Sequence, residues 1–319
     1  MARGLSSFTA ADEDLHPIDP GDWSWNESWF LSWIDANGGP AGVFRVGVTP
    51  NQDRAMLWCF VHVNGAWLTI EESRLNYADI AFDDGVAYDK WGLTFSSRDE
   101  QALSSGHLSI AGTALVRSGP QTGARVPLSV ELDYAATGPL HGTGIGPDEG
   151  LTRYATGRFE QSLSAKGFVT VGDQSHAVRA GAHRDKSWGP RDWRKSFAMG
   201  DLQTQRRQLY FVGSVWPELA MGYLRDDSDH LQTLTCIDAH FDYLDEQRTI
   251  KSAELSFRID GGGTVDVSMV PVSDSIVFDI AHTCQQPEHW LYWRTLVQAE
   301  VSGWEAPARG WFESSRYDI

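Results

Sequence analysis

Short runs of alternating apolar and polar residues, bounded by Gly, Asp, Asn, Ser or Pro, recur along the whole of this sequence, while helical periodicity is scarce. A period of two buries one face of a strand, so the chain is held to an all-β architecture. Residues 41–48, 55–64 and 66–71 read as successive antiparallel strands, with Asn64-Gly65 supplying the positive φ angles of a tight hairpin. Further strands are expected at 93–97, 106–116, 128–134, 154–163, 165–171 and 176–182, then as a meander from 197 to 301. Residues 135–150, with Gly138, Gly142, Gly144, Gly146, Gly150 and two prolines, are expected to form a long flexible connection.

A chain of 319 residues has room for two ordinary domains. The expected division is a lead-in over 1–21, a first β domain over 22–182 and a second over 183–319. The net charge of -17 argues against nucleic acid or an anionic membrane surface as partner. Cys59, Cys236 and Cys284 lie far apart in apolar contexts, as reduced buried thiols of a cytoplasmic protein would. Residues 1–22 hold one arginine and no apolar run, which fits neither a secretory signal nor a membrane span. The 14 tryptophans are a surplus: Trp23, Trp25, Trp29 and Trp33 open the fold, and Trp290 and Trp293 fall near its end. They pack a β core or line a pocket for a large apolar molecule.

The densest stretch is His183-Arg184-Asp185-Lys186-Ser187-Trp188-Gly189-Pro190-Arg191-Asp192-Trp193. Its charges are costly to bury unpaired and its two indoles are poorly placed in water, a combination that suits the wall of a cleft. The strand at 176–182 delivers this segment to the end of a sheet.

Phe159-Glu160-Gln161, a hairpin, and then Gly181-Ala182 leading into the motif resemble the tandem lipocalin-like proteins related to carotenoid hydratases. Gly310-Trp311-Phe312-Glu313 is similar to the closing strands of that group. The resemblance spans about Asp22 to Arg316, and this chain carries Asp185-Lys186 where many relatives have Asp-His. It implies two calycin-type β-barrel or β-sandwich lobes with a hydrophobic ligand pocket near their junction, where the 183–193 motif would sit. It further implies cofactor-free catalysts on terpenoid or polyene substrates, hydratases and fungal Diels-Alderase-type cyclases among them.

Hydrating, isomerising or cyclising an alkene needs a proton placed on carbon and a cation stabilised. Asp185 is the expected acid: a carboxyl in an apolar cleft is pushed toward its protonated form, while Arg184, Lys186 and Arg191 favour the carboxylate if they point at it, and His183 is the residue that orients it, relays the proton or binds the captured water. Trp188, Trp193, Arg191, Glu160, Trp29, Trp33, Trp290 and Trp293 are the expected substrate-binding residues, with Arg184 and Asp192 holding the junction. Each has a plainer role: Asp185 and Asp192 as salt-bridge partners of Arg184 and Arg191, His183 as a structural histidine, the indoles as packing. No metal or cofactor motif stands out; Gly142-x-Gly144-x-Gly146 lacks the strand-to-helix context of a dinucleotide loop, and His282 with His289 lacks a third ligand. The expectation is a cofactor-free lyase or isomerase acting on a small hydrophobic molecule; the rival is a carrier for the same kind of ligand. An apolar pocket facing Asp185 or His183 would favour catalysis, and arginine ties outside any pocket would favour the carrier.

Overall fold

The computed structural model describes residues 8–83, 85–97, 103–142, 155–191, 196–214, 216, 220–226, 230–245, 249–279 and 290–317. Among them the chain is all-β, with four short 3-10 turns and no α-helix. It divides into two compact units, Met1–Asp192 and Trp193–Ile319.

The first unit holds β1 (Trp25–Ile34), β2 (Ala41–Thr49), β3 (Arg54–Val63), β4 (Ala66–Leu75), β5 (Val86–Tyr88), β6 (Leu93–Ser97), β7 (Ser105–Val116), β8 (Arg125–Gly142), β9 (Gly157–Val171) and β10 (Gln174–Pro190). Antiparallel pairing runs β4-β3-β2-β1-β10-β9-β8-β7, and the ring closes where Leu68 and Thr69 meet Val116 and Leu115. The result is an eight-stranded barrel, with β6 and β5 continuing beyond β7. Closure removes exposed sheet edges, and an eight-stranded ring is just wide enough for inward side chains to fill or for one small ligand.

The second unit holds β11 (Phe197–Gln203), β12 (Gln208–Gly213), β13 (Ala220–Arg225), β14 (Leu231–Tyr243), β15 (Ile250–Ile259), β16 (Thr264–Pro271), β17 (Ile276–Asp279), β18 (Trp290–Val301) and β19 (Ala308–Tyr317). Its ring runs β16-β15-β14-β13-β12-β11-β19-β18 and closes through β16 and β18. The lipocalin-like lobes expected from the sequence are thus two closed antiparallel barrels.

Three sequence expectations shift. The expected strand at 176–182 does not stop at the motif: β10 continues through it to Pro190. That segment therefore belongs to the first unit's barrel, and the division falls after Asp192, ten residues later than expected. Backbone pairing with both β1 and β9 satisfies the motif's peptide groups, which outweighs the turn tendency of Gly189-Pro190. Residues 135–142 are strand rather than loop, because a register shift between Ala136 and Leu140 absorbs Gly138-Pro139 and lets β8 stay paired with β9. Residues 143–154 lie outside the described residues. The tryptophan-bearing opening segment is itself a strand, β1, hydrogen-bonded between β2 and β10.

Inside the first barrel, Trp29, Leu31 and Trp33 of β1 alternate inward onto Phe44, Val46, Leu57, Cys59, Leu163 and Ala182. Cys59 and Cys236 are buried free thiols, and burial pushes the Cys59 thiol up to about 12; Cys284 lies outside the described residues. Trp33 is wholly buried opposite Gly42, where a Cβ would stand 2.1 Å from the indole Cζ2. A close-packed ring has nowhere to move, so Gly42→Ala should destabilise the protein by about 1–3 kcal/mol in urea unfolding. An unchanged midpoint would show that Trp33 is free to shift.

Candidate functional site

Strand alternation sorts the motif into two faces. Arg184, Lys186 and Trp188 follow Ala180 and Ala182 toward the barrel interior, while His183, Asp185 and Ser187 point to the opposite face. Asp185 stands directly across from Glu160 of β9 on one side and Phe30 of β1 on the other. Two carboxyls facing each other across a ladder repel, and the bridge between them is Arg158. Its Nε donates to Glu160 Oε1 at 2.7 Å and its Nη2 to Asp185 Oδ2 at 3.1 Å. His183 Nε2 lies 2.7 Å from Glu160 Oε2, both side chains buried, and the Phe30 ring stands near the imidazole at 6.5 Å.

The two carboxyls are driven apart in acidity. Burial pushes Glu160 upward, but Arg158 and His183 together outweigh it and hold Glu160 down at about 2. Burial raises Asp185 above its ordinary value, Arg158 opposes the rise, and the neighbouring Glu160 charge adds to it. A carboxylate held ionised beside a carboxyl pushed toward its neutral form is an arrangement suited to acid and base roles. Its members titrate as a coupled set.

Several expected partners sit elsewhere. Asp185 is tied to Arg158, not to Arg184, whose Nη1 meets Glu13 Oε1 at 2.5 Å and whose Nε donates to Gln161 at 2.8 Å inside the first unit. Arg191 donates to Asn26 Oδ1 at 3.2 Å and also acts electrostatically on Asp185. Trp188 and Trp29 are on the core side, away from Asp185 and His183, and Trp33 is sealed in the core. Trp293 is buried in the second unit and Trp290 begins β18 there. Asp192, Trp193, His282 and His289 lie outside the described residues. Lys186 faces inward, 3.0 Å from Glu27 Oε1 and 4.7 Å above the Trp29 ring, so it is no part of the Asp185 group.

Aromatics that share the face of Asp185 include Phe30, Trp58 and Phe60. The last two stack at 6.0 Å, with the Arg45 guanidinium 4.9 Å from Trp58. They are buried, and sequence reasoning did not name them. The usable signal was β3 itself, where Met56, Trp58 and Phe60 alternate with Leu57, Cys59 and Val61. A strand apolar on both faces has two buried surfaces. The second unit carries its own buried charge, Glu313, which meets Arg294 and the Tyr292 hydroxyl.

A cleft of about 540 Å³ opens by the β4–β7 seam, lined by Glu72, Lys90, Trp91, Arg117 and Arg125 among others; it does not include Asp185 or His183. Among the described residues no three His, Cys, Asp or Glu side chains converge as a metal site requires, and no helix is long and apolar enough to cross a membrane.

The model of the family described as domain of unknown function DUF7064 matches residues 9–316. The chain belongs to the DUF7064 family. A search of curated proteins returns no significant match. Among solved structures, a protein described as a putative AttH from Nitrosomonas europaea is 14% identical, with a TM-score of 0.62 over 96% of this chain and 100% of that one. Kievitone hydratase from Nectria haematococca is 12% identical, with a TM-score of 0.56 over 100% of this chain and 95% of that one. The expected likeness is borne out as fold: the chain shares its architecture with a protein named as a hydratase.

Proposed function

We propose that this DUF7064 chain is a cofactor-independent enzyme that protonates a bulky hydrophobic substrate through Asp185, leading to hydration or its reverse, isomerisation or ring closure. The observation that carries the reading is the opposed acidity of Asp185 and Glu160 on one buried, aromatic-bearing face. Asp185 gives its proton to an alkene carbon, or in the reverse direction to a departing hydroxyl, and a proton is returned when water captures the cation or a neighbouring C–H bond gives up its hydrogen. Glu160, held ionised, keeps His183 beside it and stabilises positive charge that develops on the substrate. Phe30, Trp58 and Phe60 supply apolar and ring surface of the kind that a polyene or terpenoid cation needs. A protein sharing the fold is named as a hydratase, which agrees with acid-assisted addition of water but leaves substrate and reaction open.

The carrier reading draws support from two observations: Asp185 is tied to an arginine, and the cleft by the β4–β7 seam includes neither Asp185 nor His183. The two are separated by incubating the protein with a lipophilic metabolite extract and following both bound and free compounds by mass spectrometry. A catalyst depletes one compound and yields a product heavier or lighter by one water, or an isomer of equal mass. A bound compound recovered unchanged after long incubation would overturn the enzymatic reading.

A further inference from the structure

We propose that His141 is the base that takes up the proton returned in each turnover, working across Glu160 from the acid Asp185. The inference rests on the reading of Asp185 as the proton donor and gives a residue to the step which that reading leaves open. His141 stands near the end of β8, directly opposite Glu160 of β9, and Glu160 stands directly opposite Asp185 of β10. The register shift in β8 decides the face. From Ala136 to Leu140 the strand advances four positions while β9 advances two, from Leu163 to Gln161. An even excess leaves the alternation intact. Ala136 packs on the core, and His141, an odd number of positions further on, rises on the face of Glu160 and Asp185. The row His141-Glu160-Asp185-Phe30 thus runs across four neighbouring strands.

Charge and spacing fit His141 to this role. Glu160 already has Arg158 on Oε1 and His183 on Oε2, each at 2.7 Å, so its charge does not call for a protonated His141. Half-buried at the strand end, His141 is pulled below the ordinary histidine value by burial, with Glu160 opposing, and its imidazole is neutral at neutral pH. Two ladder steps put the backbones of His141 and Asp185 roughly 10 Å apart, which leaves room between the side chains for a reacting carbon and a water. In hydration the Asp185 O–H bond breaks as its proton forms the new C–H bond, the water oxygen bonds to the cationic carbon, and the proton this oxygen sheds goes to an imidazole nitrogen. In isomerisation or ring closure the C–H bond beside the cation breaks instead, its electrons closing the double bond and its proton going to the same imidazole. Either course leaves Asp185 as carboxylate and His141 as imidazolium. Passage of that proton from one to the other restores both, and no further co-reactant is needed.

The test uses the full chain with the lipophilic extract and follows, against pH, the compound it turns over. The titratable and charged groups that share the face with His141, among the described residues, are Glu160, Asp185, Arg158 and His183. A base works in its neutral form, so parent activity should fall as pH drops through the lowered value of His141, on a limb separate from the high-pH limb of Asp185. His141→Gln should lower kcat at least about 100-fold with KM unchanged, and should abolish the low-pH limb while keeping the high-pH one. Imidazole added to His141→Gly should restore turnover in proportion to its unprotonated form, and should not restore Asp185→Asn. Parent-like turnover in His141→Gln, or a loss that imidazole does not restore, overturns the assignment. The two readings fail differently: an inactive Asp185→Asn beside a fully active His141→Gln overturns this inference and leaves the acid in place, whereas parent-like turnover in both variants, or an extract in which the parent turns over nothing, overturns the acid as well.

Discussion

Asp185→Asn is expected to lower turnover roughly 100- to 10,000-fold while leaving ligand affinity nearly intact. The amide keeps the shape of the carboxyl and a polar contact to Arg158, but it has no proton of suitable acidity to place on carbon. Folding should survive, because Arg158 retains Glu160 at 2.7 Å and Asp185 is about 12% exposed rather than sealed. The pH dependence carries the same signature. Asp185 is raised by burial, so its neutral form persists to higher pH than an ordinary aspartic acid, and activity should fall as pH rises through that raised value. The sign for stability agrees: a carboxyl whose folded value is raised contributes most at low pH and loses that contribution as pH rises through the folded value. Equal turnover in variant and parent, measured on whichever compound the extract screen identifies, would sink the acid assignment.

The alternating runs gave the all-β class correctly, and most strand positions in both barrels follow from them, because period-two burial is written locally. What alternation also contains, but only once the strand is known to be unbroken, is the sorting of the 183–193 motif. Read as the wall of a cleft around a Gly-Pro turn, it gathers Asp185, His183 and Trp188 into one cluster. Extended through Pro190, it sends Trp188 and Lys186 inward and leaves Asp185 and His183 on the other face. Glu160 was expected among the substrate-binding residues, and the register puts it directly opposite Asp185. Arg158 was missed because nothing in its local sequence marks it; its role comes from lying beside both acids across a ladder. The pairing of Glu13 with Arg184 was hidden for a similar reason, since it spans 171 positions and leaves no short-range pattern. The discordant Lys186 then has a physical account: on the inward face it needs an anion, and Glu27 supplies one.

Glu160→Gln should separate the structural and chemical duties of the buried charge group. Removing one partner of a buried pair typically costs roughly 3–5 kcal/mol, and the loss here should fall toward the lower end because Arg158 keeps Asp185. Glu160 is held at about 2 against an ordinary 4.5, so the stability it contributes is present above about 4.5 and is lost as pH falls toward 2. The parent should therefore weaken steeply across that window, and the variant, having no such group, should show a shallower slope in chemical denaturation at stepped pH. The chemical consequence runs through Asp185, whose value Glu160 raises by like-charge repulsion. With the charge gone, burial is left to oppose Arg158 at Asp185 without the help of Glu160, the Asp185 carboxyl becomes more acidic, and the fall of activity at high pH should begin at a lower pH than in the parent. A merely structural Glu160 would lower stability and leave that limb where it was. Loss of stability together with a shifted limb is the result that ties the carboxylate to the proton on Asp185.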